Sequence, residues 1–453
     1  MKKKLLSAAL ILSMLLPLAA CGSTKTPAKT QEPAPSQTQP TQTQMTVPEG
    51  AVVYSGPPAQ IEYTPQPQPD PQPEPQPQPQ PQPEPAAPTA VSYETVKTYW
   101  SDSQLTQEWG KNKVVEHLFF HPVIAYPKWA FFDCKSSASE KQGLDEWMVT
   151  ADEFKNILQH LYDRGYILVR IEDVWSEYTN EQGESRMQRN VLKLPEGKKP
   201  LIISFDDVNY YDYMLAQGFT SKLVLGSDGE IWAECRDPYT GEVFLTQELD
   251  ATPILDRFVL EHPDFSLNGA KAIYSLTGFN GILGYHTESD YAGADRNAEI
   301  AAVKPIIRRL KETGWTFGCH TYSHRDLSGC STASIQNDIS KWIDEVVPLT
   351  GETAILFYPY GGRPDGGDDV KQVGEQLRWM QSKGFRVFCS VGFESYSQIK
   401  KDIALVICDR MHPDGKTLRD GRSLNWYKQF YDPREIIDLA ARPDYGTTWA
   451  QYE

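Results

Sequence analysis

Cysteine is scarce in this chain: seven residues among 453, with no Cys-x-x-Cys pair. A disulfide-dense scaffold and a zinc-finger site are therefore excluded. Basic charge is short as well. Lys and Arg number 44 against 60 Asp and Glu, for a formal net charge of −16. Binding to nucleic acid requires Lys and Arg to neutralise phosphates, so no nucleic-acid partner is expected. Long apolar runs are missing outside residues 5–18, and that run is too short to span a bilayer comfortably. The hydrophobic fraction of 40% and charged fraction of 23% are nevertheless globular values, which excludes global disorder.

Proline is abundant, with 34 residues, most of them before residue 90. Lys2, Lys3 and Lys4 precede the apolar run, the layout of a signal peptide over residues 1–20. Leu18-Ala19-Ala20-Cys21-Gly22 resembles the lipobox of bacterial lipoproteins. That resemblance implies cleavage before Cys21, a lipid on its thiol and an extracytoplasmic protein held at the membrane. Residues 21–91 are Pro, Gln, Thr and Glu with almost nothing apolar to bury, so a disordered linker is expected. At about 3.1 Å per residue in the polyproline II form it would reach on the order of 200 Å.

Residues 92–453 read as one large domain. Thr150-Ala151-Asp152-Glu153 is a capping box, followed by Phe154, Ile157, Leu158 and Leu161 at helical spacing. Leu201-Ile202-Ile203-Ser204-Phe205 is a continuous apolar run, as a strand covered on both faces requires. Similar runs at 166–171, 271–276, 315–319, 354–357, 385–390 and 403–408 alternate with helical patterns. The alternation predicts an α/β domain with a parallel sheet, open or closed into a barrel. Residues 219–266 interrupt the rhythm and read as an inserted hairpin or lid.

Sites in parallel α/β folds gather where strands end. Asp206-Asp207 follows one predicted strand, His320-Thr321-Tyr322-Ser323-His324 another and Tyr358-Pro359-Tyr360-Gly361 a third. Each motif alone has an ordinary explanation as a turn, a helix cap or surface chemistry. Together they supply two imidazoles and a carboxylate, three ligands that leave a coordination position open for water, with a second Asp free to act as a base.

These motifs resemble the polysaccharide deacetylases, carbohydrate esterase family 4, with its NodB-homology domain. Ser204-Phe205-Asp206-Asp207-Val208 stands where that family has Thr-Phe-Asp-Asp-Gly, His320 to His324 matches His-x-x-Ser-His in full, and Pro359-Tyr360-Gly361 matches the third motif. The resemblance covers residues 110–445. It implies a distorted (β/α) barrel of about seven strands. It also implies a divalent metal, usually Zn2+, on Asp207, His320 and His324, with Asp206 as base and the Tyr360 N–H at the oxyanion. The implied reaction removes N-acetyl or O-acetyl groups from an acetylated glycan such as peptidoglycan or another N-acetylglucosamine polymer. Three departures stand out. Phe357 lies where the third motif has an Arg that pairs with the catalytic Asp, and Arg363 comes only beyond the turn. The fourth motif's Trp and Asp are missing around Phe388-Cys389-Ser390. The fifth motif's acid His is replaced by Cys408-Asp409, so His412 is the nearest candidate for the acid. The missing Arg and the displaced His keep a glycan-binding pseudoenzyme on the same scaffold in play, and the insertion at 219–266 keeps a metal-dependent amidase for small molecules in play.

Overall fold

A computed structural model of the chain describes residues 92–291, 293, 295–364, 374–400 and 403–452. The signal segment, Cys21 and the Pro/Gln-rich linker lie outside the described residues.

The strands that carry the fold are β1 (Glu116–Phe120), β2 (Tyr166–Leu168), β3 (Lys199–Asp206), β4 (Ala272–Leu276), β5 (Thr316–Cys319), β6 (Ile355–Phe357), β7 (Val387–Val391), β8 (Tyr396–Lys400) and β9 (Leu405–Arg410). They form one nine-stranded sheet in the order β8-β9-β7-β6-β5-β4-β3-β1, with β2 paired to the start of β3. All pairings are parallel except β8 with β9. The sheet curls until its ends meet. Phe119 N–H donates to the Met411 carbonyl at 2.9 Å, and Met411 N–H donates to the His117 carbonyl at 2.9 Å. Seven parallel strands, β1, β3, β4, β5, β6, β7 and β9, thus make the distorted barrel that the family resemblance implied.

Strand parity sorts each side chain. Leu201, Ile203 and Phe205 of β3 pack outward with Phe154, Ile157 and Leu161 of helix α1 (Ala151–Asp163). Ile202 faces inward with Ile273, Phe357, Val387, Cys389, Val406 and Cys408. Each such fully buried side chain contributes about 1.5–3 kcal/mol of burial free energy. The capping box opens α1 as expected, with Glu153 Oε2 accepting from Thr150 N–H at 2.8 Å. Glu153 also grips Arg442, whose Nη2 lies 2.6 Å from Oε2, so the C-terminal segment is tied across the base of α1.

The interruption at 219–266 is smaller than expected. Strands Lys222–Leu225, Ile231–Arg236 and Val243–Thr246 form a three-stranded antiparallel sheet. The remainder is helix α2 (Ala251–Glu261), an ordinary crossover to β4, capped by Asp250 through the Thr252 N–H at 2.9 Å. The sheet is no loose flap, since its Leu223, Ile231 and Ala233 are buried in the main core. The other crossover helices that bear on the site are α3 (Arg296–Glu312) and α4 (Thr332–Glu345).

Candidate active site

Asp206 is the last residue of β3, and parity points it into the barrel, 3% exposed. Asp207 adopts φ 61, the left-handed region that non-glycine residues rarely occupy. The chain turns there, so two adjacent carboxylates part company. Asp206 stays inside, while Asp207 reaches the rim. Thr321 (φ 60), His324 (φ 50) and Tyr360 (φ 57) share this conformation. Such strain concentrates where the surroundings over-determine a functional geometry.

His320 follows β5, its backbone N–H donating to the Leu276 carbonyl at 2.8 Å. Its Nδ1 donates to the Phe357 carbonyl at 3.1 Å, which leaves Nε2 bare as a ligand atom. The loop to His324 is held from below by Asp338 of α4, which accepts from Tyr322 N–H at 2.6 Å and from Ser323 N–H at 3.2 Å. His324 Nε2 comes within 3.3 Å of Asp207 Oδ2, while Tyr211 donates its hydroxyl to Asp207 Oδ1 at 2.9 Å. Ligand atoms of Asp207, His320 and His324 all lie within 4.8 Å of one another. One carboxylate and two imidazoles, with Asp207 oriented by Tyr211 and His320 by the Phe357 carbonyl, fit a divalent ion such as zinc.

Backbone packing protects this arrangement. A Cβ at Gly318 would run into the Phe357 ring. Gly318→Ala is therefore expected to cost about 1–3 kcal/mol of stability, as overpacked cores do. It should also weaken metal affinity, because Phe357 carries the carbonyl that aims His320. Denaturant unfolding and metal titration of the variant check both effects.

The sequence reading found no Arg for Asp206, and here the structure corrects it. Arg410, the last residue of β9, is fully buried and holds Asp206 with both arms, Nη1 to Oδ1 at 2.7 Å and Nη2 to Oδ2 at 2.8 Å. Its guanidinium stacks over the rings of Phe119 at 4.2 Å and Phe357 at 4.6 Å. Phe357, the residue in place of the expected Arg, is thus the platform for an Arg delivered by another strand. Arg410 Nη1 also donates to Ser204 Oγ at 3.0 Å, and Ser204 lies 2.9 Å from the buried His117 Nε2. Arg363 pairs instead with Asp409. Burial alone would raise the Asp206 carboxyl, but Arg410 outweighs it and holds the group well below the usual carboxylate range. Burial likewise opposes ionisation of Asp207, yet His324, His320 and His121 keep it lowered.

Tyr360 packs its ring edge-on against His324 at 4.7 Å. Its backbone N–H donates to nothing among the described residues, so it is free for an oxyanion. His412, the nearest candidate for the acid, is buried and partnered on both ring nitrogens. It is 7% exposed, with Nδ1 at 2.9 Å from Asp414 Oδ2 and Nε2 at 3.1 Å from His121 Nδ1. Sequence reasoning did not single out Arg410, Tyr211, Asp338 or Asp414. The parity of β9 was the one available signal for Arg410. The others converge only in three dimensions.

A parallel barrel whose strand ends gather a Asp-His-His cluster beside a second Asp is built for hydrolysis at its rim. Residues 283–379, a segment that holds both histidines and the Pro-Tyr-Gly turn, match the family model for polysaccharide deacetylase. No match to a curated protein was found. Among solved structures the chain is similar to the Streptococcus pyogenes deacetylase PplD in complex with acetate, at 16% identity over 67% of this chain and 94% of that one, TM-score 0.36. It is similar to the polysaccharide deacetylase BC0361 from Bacillus cereus, at 15% identity over 67% of this chain and 66% of that one, TM-score 0.36. It is also similar to IcaB from Ammonifex degensii, at 13% identity over 62% of this chain and 84% of that one, TM-score 0.32.

Proposed function

We propose that the domain removes N-acetyl or O-acetyl groups from a cell-wall or surface polysaccharide. The observation that carries this reading is the convergence of Asp207, His320 and His324, distant in sequence, beside an unshared Asp206, with two of them inside the family-matched segment. A divalent ion held by those three side chains would polarise the acetyl carbonyl and acidify water. Asp206 stands beside that point as the acceptor of the water's proton, and Arg410 fixes its orientation. The Tyr360 N–H receives the charge that develops on the carbonyl oxygen. Arg410 also removes one of the two departures that favoured a binding-only scaffold. On the same reading, lipid on Cys21 and the Pro-rich linker tether the domain outside the cytoplasmic membrane, within reach of wall glycan.

The test is acetate release from N-acetylglucosamine oligomers and from O-acetylated glycans, with zinc supplied. Asp206→Asn should lower turnover by about 10²–10⁴-fold, the usual contribution of a positioned base. Turnover unaffected by that substitution, or no release from any acetylated glycan, would refute the proposal.

A further inference from the structure

We propose that Tyr213 is the platform on which the sugar beside the acetylated residue stacks, and that Trp129 and Tyr239 carry the glycan chain onward. The substrate is then a polymer held over several sugars rather than a small acetylated molecule. The inference rests on the deacetylase reading above.

Tyr213 belongs to the short helix Asp212–Leu215, which follows closely on the proposed ligand Asp207. Its ring stacks on Tyr211 at 5.6 Å, and Tyr211 stacks in turn on Phe279 at 4.6 Å. Tyr211 is buried, with its hydroxyl held between Asp207 Oδ1 at 2.9 Å and Thr277 Oγ1 at 2.6 Å. The outermost ring is therefore fixed against the wall of the Asp-His-His cluster, yet Tyr213 is 50% exposed. Tyr211 covers one of its faces, so the other face is the open one. Desolvation, then the Asp207 carboxylate and the Tyr360 hydroxyl, push the Tyr213 phenol up. The same ring thus lies near both a proposed ligand and the residue at the oxyanion.

An open aromatic face in this position suits a sugar. A pyranose presents a face of C–H bonds, and their positive ends meet the negative face of an aromatic ring. A ring already fixed by its neighbours loses little freedom when a ligand stacks on it. Hydrolysis itself has no use for this ring, since Tyr211 and not Tyr213 orients Asp207.

The aromatic surface continues beyond the helix. The Ala216 carbonyl accepts from Trp129 Nε1 at 2.9 Å. Trp129 opens a π-helical turn, Trp129–Asp133, a form that recurs at functional sites. Its indole meets the Tyr239 ring edge-on at 5.1 Å, and Tyr239 donates its hydroxyl to Asp133 Oδ2 at 2.8 Å. Tyr239 is exposed, on the turn between Ile231–Arg236 and Val243–Thr246 of the antiparallel sheet. The inserted sheet thereby supplies the far end of a surface that starts at the Asp-His-His cluster. Single exposed aromatics are ordinary, but a set of rings each fixed by a stack or a hydrogen bond and adjoining a catalytic rim marks a binding surface.

Chain length is the readout. Wild type should gain about tenfold or more in kcat/KM between the N-acetylglucosamine dimer and hexamer. Tyr213→Ala should raise KM for the hexamer about tenfold, with a smaller change in kcat. That loss should exceed its loss on 4-nitrophenyl acetate, an ester without a sugar. Tyr213→Phe should recover most of it, because stacking needs the ring and not the hydroxyl. Tyr239→Ala should cost more on the hexamer than on the dimer. Equal losses of Tyr213→Ala on hexamer and aryl ester, or no recovery by Tyr213→Phe, would overturn the inference. A wild type indifferent to chain length would overturn it too and would favour a small-molecule amidase. Should Tyr213→Ala not fold, Tyr239→Ala carries the same comparison. A wild type inert toward every acetylated glycan refutes the deacetylase reading instead. Calorimetry then decides the platform, which requires that the hexamer bind and that Tyr213→Ala weaken binding about tenfold; no binding, or binding unchanged in that variant, overturns it.

Discussion

Arg410→Met should destabilise the domain by about 3–5 kcal/mol near neutral pH, because it strands the Asp206 carboxylate in a buried site without its partner. Methionine keeps much of the volume between Phe119 and Phe357, so the loss reports charge more than packing. The pH dependence has a definite sign. In the wild type, Arg410 holds Asp206 below its unfolded value. The pair therefore contributes stability at all pH values above the ordinary carboxylate range, and that contribution disappears as pH falls through the folded value. The variant's deficit should be greatest at neutral pH and narrow toward acid. Catalysis should respond in the same direction. With the guanidinium gone, burial dominates and the Asp206 carboxyl rises, so the acid limb of the pH–rate profile moves to higher pH. Arg410→Lys should rescue little, since an ammonium cannot repeat the two-armed contact. Chemical denaturation across pH, paired with rate profiles, decides the matter. A variant within 1 kcal/mol of wild type with an unmoved acid limb would mean that the pair is incidental.

His320→Ala should abolish stoichiometric uptake of a divalent ion and reduce acetate release by about 10³-fold or more, because one loss removes both a ligand and the carbonyl-polarising charge. His320 is nearly fully buried and aimed by the Phe357 carbonyl. Water entering the gap reproduces neither its basicity nor its placement. Binding also reads out without turnover. An ion that binds only the folded form stabilises it by about 2.7 kcal/mol at a concentration of 100 Kd. Wild-type melting temperature should therefore rise with added zinc and fall with a chelator, while His320→Ala should be indifferent to both. Equal thermal responses in the two proteins would remove these residues from the metal site.

Much of the barrel was legible because its strands are continuous apolar runs that alternate with helical patterns. Leu201 to Phe205 stands out since both of its faces are covered. β1 was missed for the opposite reason. Glu116-His117-Leu118-Phe119-Phe120 starts with two polar residues, and the His117 imidazole is buried against Ser204, a contact across 87 positions that no local pattern announces. The ligand set was readable because three short motifs each sit where a strand stops. Arg410 was not, since the family pattern looks for it beside Phe357, and its partner Asp206 is 204 residues away. Residues 251–261 were absorbed into the expected insertion because the Gly-rich turns before them masked an ordinary crossover helix. In each case the failure lies where tertiary pairing replaces local periodicity.

The seam between β1 and the end of β9 has a consequence for how the molecule comes into being. Hydrogen bonds that join residues 117 and 119 to residue 411 close the barrel, so the ring is incomplete until about 290 residues beyond its first strand have been made. Contacts of such long sequence separation slow folding, because the loop must be ordered before the seam repays it. The same stretch brings Arg410, His412 and Asp414 to the site, all three buried. Closure and completion of the site therefore coincide: a nascent chain still lacking residues 405–412 has no seam and no charged partner for Asp206, and it gains both together.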